Sequence, residues 1–299
     1  MAVNEGELMR TCAPLYASFA LEAVSSVMLC CFFSYILLLL NTSGKLKSPG
    51  KAAVRFVASG VSSFLNQVND IWSLWGDVHT MPLMARFRWC RKCNEFICLF
   101  SVIAAFMSLT RLASAGNISG FRYLGYAVTC PIMMVELVVL LGPVVPAYHT
   151  TAIFTYACTL ICLLSGYLCS LQTGLAWEGD LLDGFDINAQ GLKFWFAAVS
   201  FGTFGVLMVI LVYLSVLYLC APYMRKSAEI LPWDYLKLLR IVAATWVLFP
   251  VWWILSYEGM NILTDTKMNA LGFALLNVTS KGMFTRQTMR MARHEKKRA

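Results

Sequence analysis

Seven long apolar blocks constrain the possible folds of this chain more than any other feature of its sequence. They cover residues 13–41, 93–115, 121–143, 150–172, 191–219, 236–257 and 267–290. Each block is long enough for an α-helix to cross a bilayer, which takes about 20 residues. Only 13% of the residues are charged, whereas soluble domains carry about 25%. The sequence therefore predicts an all-α membrane protein, a bundle of seven transmembrane helices over residues 13–290.

The basic residues are unevenly distributed between the two sides of the predicted bundle. They crowd the connection between the first two blocks and the C-terminal tail, whereas residues 177–186 of an opposite connection are acidic. Because Lys and Arg accumulate in cytoplasmic loops, we expect the N-terminal residues 1–12 outside and the tail 291–299 in the cytoplasm. The net charge of +8 is then a topology signal, and it indicates no nucleic-acid partner.

The connection over residues 42–89 is far longer than the usual few residues. After a polar start it carries apolar residues at roughly helical spacing, and Asn66 and Asp70 interrupt them. We predict a cytoplasmic amphipathic helix that lies on the membrane or against the bundle. An element that docks a partner is the alternative.

A lysine lies deep inside the last apolar block. Lys281 is far from the start of block 267–290, and a charged amine in the middle of a transmembrane helix is costly and usually functional. A buried lysine is a candidate for a Schiff base with a carbonyl compound. The alternative is a lysine that snorkels to the interface.

Two other blocks carry patterns that bear on this lysine. In the sixth block, aromatic residues form a stripe around Pro250. Such a stripe is usually core packing. Beside a buried lysine, however, it suits a flat polyene held between rings. The stripe, at i, i+3 and i+7, is Trp246, Phe249 and Trp253. One helical face of the third block carries Arg122, Gly125, Thr129 and Glu136.

These motifs together resemble the microbial (type 1) rhodopsins: Arg-Tyr and Thr-Cys-Pro in the third block, Trp-x-x-Phe-Pro-x-x-Trp in the sixth, and Asn-x-x-x-Lys in the seventh. The resemblance implies that Lys281 binds all-trans retinal covalently as a Schiff base. It also implies that Arg122 lies on the extracellular side of that linkage and that Glu136 occupies the cytoplasmic proton-donor position. The implied walls of the retinal pocket are Tyr126, Thr129, Cys130, Pro131, Trp246, Phe249 and Trp253.

Within this family, the Thr-Cys-Pro triplet resembles the channelrhodopsins, since pumps more often have Thr-Thr-Pro. Cys130 matches the helix-3 cysteine of the channelrhodopsin gate, although the region around Cys158 carries no carboxylate that could be its partner. Arg111 matches a basic residue found in the second helix of several channelrhodopsins. The alternative for Arg111 is a side chain that snorkels to the outer interface.

Two positions depart from the family pattern. Microbial rhodopsins normally neutralise the protonated Schiff base with two carboxylates, three residues after the helix-3 arginine and four before the lysine. Here those positions hold Gly125 and Asn277. A buried cation without a counter-charge loses its proton more readily. We therefore expect either an unprotonated, ultraviolet-absorbing linkage in the dark or another anion as the counter-charge.

The loss of both acids makes outward proton pumping improbable. We expect Arg111 and Arg122 to stand on the extracellular half without an acidic partner in the membrane, and positively lined pathways favour anions. The second block keeps only Glu95, near its inner end. The leading hypothesis is a light-gated anion channel in which chloride itself serves as the counterion. A chloride pump is disfavoured, because the helix-3 motif of those pumps is absent.

The alternative is a sensory module that regulates a fused or partner enzyme of the cyclase or phosphodiesterase type. A basic, helix-favouring stretch follows the last block, as a helical linker would. The chain itself has no enzyme signature and no metal-binding pattern, so we do not expect it to be an enzyme. We expect a multi-pass protein in the lipid bilayer of the plasma membrane. The resemblance further implies a homo-oligomer, either a dimer or a trimer.

Overall fold

The computed structural model describes residues 27–32, 76–109, 118–174, 189–224 and 234–298. These residues form helices joined by short turns and 3-10 segments, so the all-α prediction is confirmed for this part of the chain. The described part of α1 covers residues 27–32. The longer helices are α2 (Leu83–Leu109), α3 (Ile118–Leu141), α4 (Tyr148–Gly174), α5 (Ala189–Cys220), α6 (Asp234–Leu255) and α7 (Thr266–Arg298).

The outer surface of the bundle is apolar. Among the described helices, α3, α4, α5 and α6 are long and apolar enough to cross a membrane. Large apolar side chains on their outward faces are exposed, including Phe154 on α4 and Phe194 and Val209 on α5. An exposed apolar surface of this extent requires a partner that is not water. A bilayer provides that environment.

The helices form a ring in which each packs against the next in sequence from α2 to α7, and α7 packs back against α2. The described part of α1 contacts this last pair, where Phe32 lies against Gly282. The side chains of α3 are the most enclosed, and Met134, Val135 and Leu137 are fully buried. The centre of the bundle is therefore built around α3, with α2 and α7 on one side of it.

The α6–α7 pair approaches very closely at one point. Gly272 of α7 faces the indole ring of Trp252, and a Cβ atom at this position would overlap that ring. The same indole donates from Nε1 to Oδ1 of Asn269 at 3.0 Å. Glycine is therefore required at position 272 by packing, and this contact fixes the start of α7 against the end of α6.

The start of α2 differs from the prediction. The helix begins at Leu83 rather than at residue 93, so the end of the predicted connection 42–89 belongs to α2. In this first turn Arg86, which the prediction placed in a loop, is 1% exposed and donates from Nη1 to the Leu140 carbonyl oxygen at 2.5 Å. It thereby gives a hydrogen-bond donor to one of the last carbonyl groups of α3, beside Gly142, whose φ is +57°. Basic side chains often bind the carbonyl groups at helix ends in this way.

The other predicted boundaries are closer to the structure. Residues 42–75 lie outside the described residues, so the amphipathic helix proposed for them stays a prediction. At the other end of the chain, α7 continues without a break to Arg298, through most of the segment predicted as a basic tail. The helical hydrogen bonds therefore extend well past the apolar part of this helix.

Candidate functional site

Lys281 lies in α7 at the centre of the bundle and is 4% exposed. Its Nζ donates to the Ser101 hydroxyl of α2 at 3.1 Å. The same nitrogen lies 5.4 Å from the centroid of the Tyr126 ring of α3. The amine is thus held where α2, α3 and α7 meet.

A cavity extends from Lys281 between α3, α4, α5 and α6, and its walls are mostly aromatic or apolar. Phe249 lies edge-on to Tyr126, with ring centroids 5.7 Å apart, and Trp253 packs against Phe201 of α5 at 5.8 Å. These contacts make rigid, flat walls. The predicted site residues that line this cavity with Lys281 are Tyr126, Cys130, Trp246, Phe249, Trp253 and Asn277.

Three predicted site residues lie in α3 but are not in the cavity lining. The Thr129 hydroxyl is fully buried and donates to the Gly125 carbonyl oxygen one turn earlier at 2.6 Å. Pro131 lies within the same helix. A Cβ added to Gly125 would meet the Ala104 Cβ at 3.6 Å, which is an ordinary contact. Packing alone therefore does not require a glycine at position 125.

Arg122 and four other residues form a buried polar group that we call the Arg122 cluster. Arg122 Nη2 lies 2.5 Å from Glu258 Oε1, and the guanidinium stacks on the Phe273 ring at 4.0 Å. The other carboxylate oxygen, Oε2, accepts hydrogen bonds from the Ser170 hydroxyl at 2.7 Å and from a tyrosine hydroxyl at 3.3 Å. An amide donates to Oε1 at 3.3 Å. The cluster comprises Arg122, Tyr123, Ser170, Glu258 and Asn269.

The expectation that Arg122 has no acidic partner is therefore wrong. Glu258 lies in the turn between α6 and α7, and only 1% of its side chain is exposed. The turn is tight enough that a Cβ on Gly259 would collide with the backbone of Trp253 and Ile254. The Ser256 hydroxyl accepts a hydrogen bond from the Glu258 backbone N–H at 3.2 Å. This local folding directs the carboxylate inward, and the Glu-Gly pair five residues after Trp253 was the signal that could have indicated it.

The ionisation of Glu258 depends on these neighbours. Burial by itself raises the pKa of the carboxyl group, but the positive charge of Arg122 and the hydrogen bonds from Ser170, Arg122 and Tyr123 outweigh it. The pKa of Glu258 consequently lies below the ordinary value. The cluster holds a true ion pair at neutral pH.

A second buried polar group, the Glu136 cluster, comprises Asn94, Glu136 and Thr285. Glu136 Oε2 accepts a hydrogen bond from Asn94 Nδ2 at 2.6 Å. Asn94 Oδ1 in turn accepts one from the Thr285 hydroxyl at 2.6 Å, and Asn94 Nδ2 also donates to the Cys90 carbonyl oxygen at 2.9 Å. All three members are buried. The cluster ties α2, α3 and α7 together.

Asn94 was not among the predicted site residues. The signal that could have revealed it is the spacing of Asn94 and Ser101, two polar residues seven apart on one face of an apolar helix. Of the other predicted ion-pathway residues, Glu95 is paired with Arg91 in the same helix at 3.0 Å, outside both clusters. Arg111 lies outside the described residues.

The comparisons with known proteins identify the family. The family model for bacteriorhodopsin-like proteins matches residues 94–294, and the chain belongs to this family. No curated protein matches the chain in sequence.

The solved structures that resemble the chain agree with this assignment. Halorhodopsin, a light-driven chloride pump, is 16% identical with a TM-score of 0.61, over 93% of this chain and 97% of that one. A thermophilic rhodopsin is 12% identical with a TM-score of 0.63, over 94% and 95%. The light-driven proton pump rhodopsin of Coccomyxa subellipsoidea is 15% identical with a TM-score of 0.59, over 90% and 96%. At these identities the likeness establishes the fold, which is the seven-helix bundle of the microbial rhodopsins.

The family and the apolar helices make this chain a multi-pass membrane protein, and the family implies a retinal chromophore. The residues at the centre of the bundle fit such a group. Lys281 offers a buried primary amine, and the cavity beside it has aromatic walls, as a covalently held, flat and apolar ligand requires.

Proposed function

We propose that this chain is a retinal-binding photoreceptor that acts as a light-gated, anion-conducting channel of the channelrhodopsin type. Its N-terminus lies outside and its C-terminus in the cytoplasm, in line with the distribution of basic residues. The observation that carries the proposal is the setting of Lys281. The amine lies at an aromatic cavity between two buried polar clusters that each tie several helices together.

Lys281 would hold retinal through its Nζ, and the walls of the cavity would keep the chromophore flat. Tyr126 and Phe249 stand edge to face at one wall, and Ser101 positions the amine through its hydroxyl group. Bound retinal supplies the absorption of light and a change of shape. Side chains packed this tightly transmit such a change to α3, α6 and α7, because close-packed interiors deform as a whole.

Two features favour a channel over an outward proton pump. Gly125 offers no carboxylate that could take a proton, and Asn277 offers an amide where the family normally has an acid. A channel, in contrast, needs only contacts that close its pore in the dark and open in the light. The Arg122 cluster joins α3, α4 and α7 to the turn after α6, and the Glu136 cluster joins α2, α3 and α7. Movement of α3 or α7 strains both clusters, so light would shift a two-state equilibrium.

Anion selectivity follows if light separates the ion pair of the Arg122 cluster. In the described state the charge of Arg122 is neutralised by Glu258. Once separated, the guanidinium would line the pathway, and positively lined pathways favour anions. The neutral groups at positions 125 and 277 leave room for chloride to act as a counter-charge beside Lys281.

The test is a patch-clamp recording from cells that express the chain with retinal, with chloride varied on each side. We expect a passive photocurrent whose reversal potential follows the chloride gradient. The Lys281→Ala variant should give no pigment and no current, whereas Lys296→Ala, at an exposed position of α7, should give both. A photocurrent that keeps its direction at all voltages, or a reversal potential that ignores chloride, would overturn the proposal.

A sensory module is the second candidate, and the length of α7 favours it. The helix spans 33 residues, or about 50 Å, whereas the hydrocarbon core of a bilayer is about 30 Å thick. It therefore extends beyond the membrane, where it could transmit a movement to another domain. Light-induced changes in distance between spin labels on Lys296 and Arg240, in a protein without passive photocurrent, would favour this function over the channel.

A further inference from the structure

A groove lies between α6 and α7 along the part of α7 that leads to Arg298, and it shares no lining residue with the cavity at Lys281. Its walls contain six basic side chains and a few apolar ones, among them Ile241 of α6 and Met283 of α7. The basic residues are Lys237, Arg286, Arg290, Arg293, His294 and Lys297.

The spacing on α7 concentrates these charges on one face. Arg286, Arg290, Arg293 and Lys297 follow each other at i, i+4, i+7 and i+11, which is a single stripe on a helix. All four are exposed, whereas Met291 of the same stretch is fully buried against the bundle. The basic stripe is thus separate from the face that packs α7 into the core.

The acidic groups described near this stripe do not balance it. None of the described residues that line the groove is acidic. Asp234 reaches its edge, 3.2 Å from His294 and 4.0 Å from Arg290. One carboxylate therefore faces five Lys and Arg side chains. Like charges at i, i+4 repel each other, and an anion in the groove would remove that repulsion.

The depth of the groove indicates what kind of anion it takes. Arg286 follows Lys281 by five residues, which is about 7.5 Å along the helix, and Lys297 lies about 24 Å from it. The stripe from Arg286 to Lys297 thus extends about 16 Å along the helix, which is about half the thickness of the hydrocarbon core, and it runs from the apolar part of α7 towards its polar end. Ile241 and Met283 provide apolar contacts at the deep end.

We propose that this groove binds the phosphate headgroup of an anionic phospholipid of the surrounding leaflet, with an acyl chain along Ile241 and Met283. Arginine donates paired hydrogen bonds to phosphate oxygens, and basic pockets between transmembrane helices on the cytoplasmic side suit such headgroups. The groove shares no residue with the cavity or with either polar cluster, so its binding of lipid can be tested apart from the photocurrent.

The test measures binding to the purified, retinal-loaded full chain in detergent with three probes: dioctanoyl phosphatidic acid, dioctanoyl phosphatidylcholine and inorganic phosphate. We expect saturable binding of phosphatidic acid, with at least tenfold weaker binding of the other two. Equal binding of inorganic phosphate would mean a free-anion site and would overturn the lipid assignment. Absence of saturable phosphatidic acid binding would overturn the site itself.

A pair of double variants separates this site from general attraction to the basic end of the protein. Arg286→Gln with Arg293→Gln removes two charges from the groove and should weaken phosphatidic acid binding at least tenfold. Arg240→Gln with Lys296→Gln removes two charges from exposed positions outside the groove and should change it less than twofold. Equal weakening by both pairs would contradict the proposal. The substituted side chains are exposed, and the absorption spectrum checks that each variant is folded.

Discussion

The two polar clusters of the bundle differ in the kind of interaction that holds them. The Arg122 cluster contains a buried ion pair between Arg122 and Glu258, whereas the described contacts of Glu136 are made with neutral groups. Arg122 and Glu136 are fourteen residues apart on α3, or about 21 Å, and Thr129 lies halfway between them. Towards one end, α3 thus carries a cluster held by an ion pair, and towards the other end it carries a cluster held by hydrogen bonds to neutral groups.

Because they are held differently, the two clusters should cost different amounts of free energy to open. Removal of one partner from a buried ion pair leaves the other charge buried and uncompensated, which costs several kcal/mol. Removal of one neutral hydrogen bond costs about 1 kcal/mol, unless a buried group is left unsatisfied. We therefore expect the Glu136 cluster to open with little energy, and the separation of Arg122 from Glu258 to be the more costly part of the light-driven opening.

The largest expected effect is the loss of one partner of the ion pair. Arg122→Gln and Glu258→Gln should each lower the free energy of unfolding by about 3–5 kcal/mol. The double variant should lose clearly less than the sum, because neither charge is then left alone. Thermal bleaching of the pigment measures all three. Additive losses would show that the two side chains do not act as a pair.

Acid should break the same pair without a mutation. The pKa of Glu258 is lower in the folded chain than in the unfolded one, so its stabilising contribution is full at neutral pH. That contribution is lost as the pH falls below the ordinary carboxyl value of about 4.3 and through the depressed folded pKa. A titration of thermal stability should show this acid loss in the native chain and a smaller one in Glu258→Gln. Identical curves would contradict the assignment of a charged Glu258.

In the neutral cluster, Asn94 is the residue whose loss should matter most. Asn94→Leu removes the donor to Glu136 and the acceptor for Thr285, and it leaves two buried polar groups without a partner. The expected loss is about 1–3 kcal/mol, measured by thermal bleaching as above. Thr285→Val, of nearly the same shape, should cost only about 1 kcal/mol. A greater loss from Thr285→Val than from Asn94→Leu would refute a central role for Asn94.

The smallest effect is expected for Glu136→Gln. A buried carboxyl group whose described hydrogen-bond partner is an amide, with no cation, is expected to be protonated. A glutamine can accept the same bond, so the variant should lose less than about 1 kcal/mol. The infrared band of a protonated carboxyl group should disappear in Glu136→Gln and persist in Glu258→Gln. If Glu136→Gln lowered the free energy of unfolding as much as Glu258→Gln does, the two clusters would be held by the same kind of interaction.

Much of the fold could be predicted from local sequence. Apolar blocks of bilayer length set the helices, and the helical spacing of the aromatic stripe set which side chains of α6 share a face. That spacing correctly grouped Trp246, Phe249 and Trp253 beside the cavity that contains Lys281. Such patterns need no knowledge of any partner, because the periodicity of one helix is a local property.

The partners across the bundle could not be predicted in this way. Glu258 meets Arg122 from 136 residues away, and its direction depends on the turn closed by Ser256 and Gly259. Arg86 was interpreted as part of a basic loop, but it is buried in α2, where the carbonyl of Leu140, 54 residues later, accepts its hydrogen bond. In both cases a charge is buried because a distant backbone or side chain compensates it, and a single sequence does not contain that pairing.

Gly125 has a consequence for how this chain relates to others of its fold. Its Cα leaves ordinary space for a further carbon atom towards Ala104, so the helix can start a side chain there without rearrangement. Every glycine codon becomes an aspartate or a glutamate codon by one base change. An acid at position 125 is thus a single mutational step away, and a lineage with this bundle could change its photochemistry while the architecture stays intact.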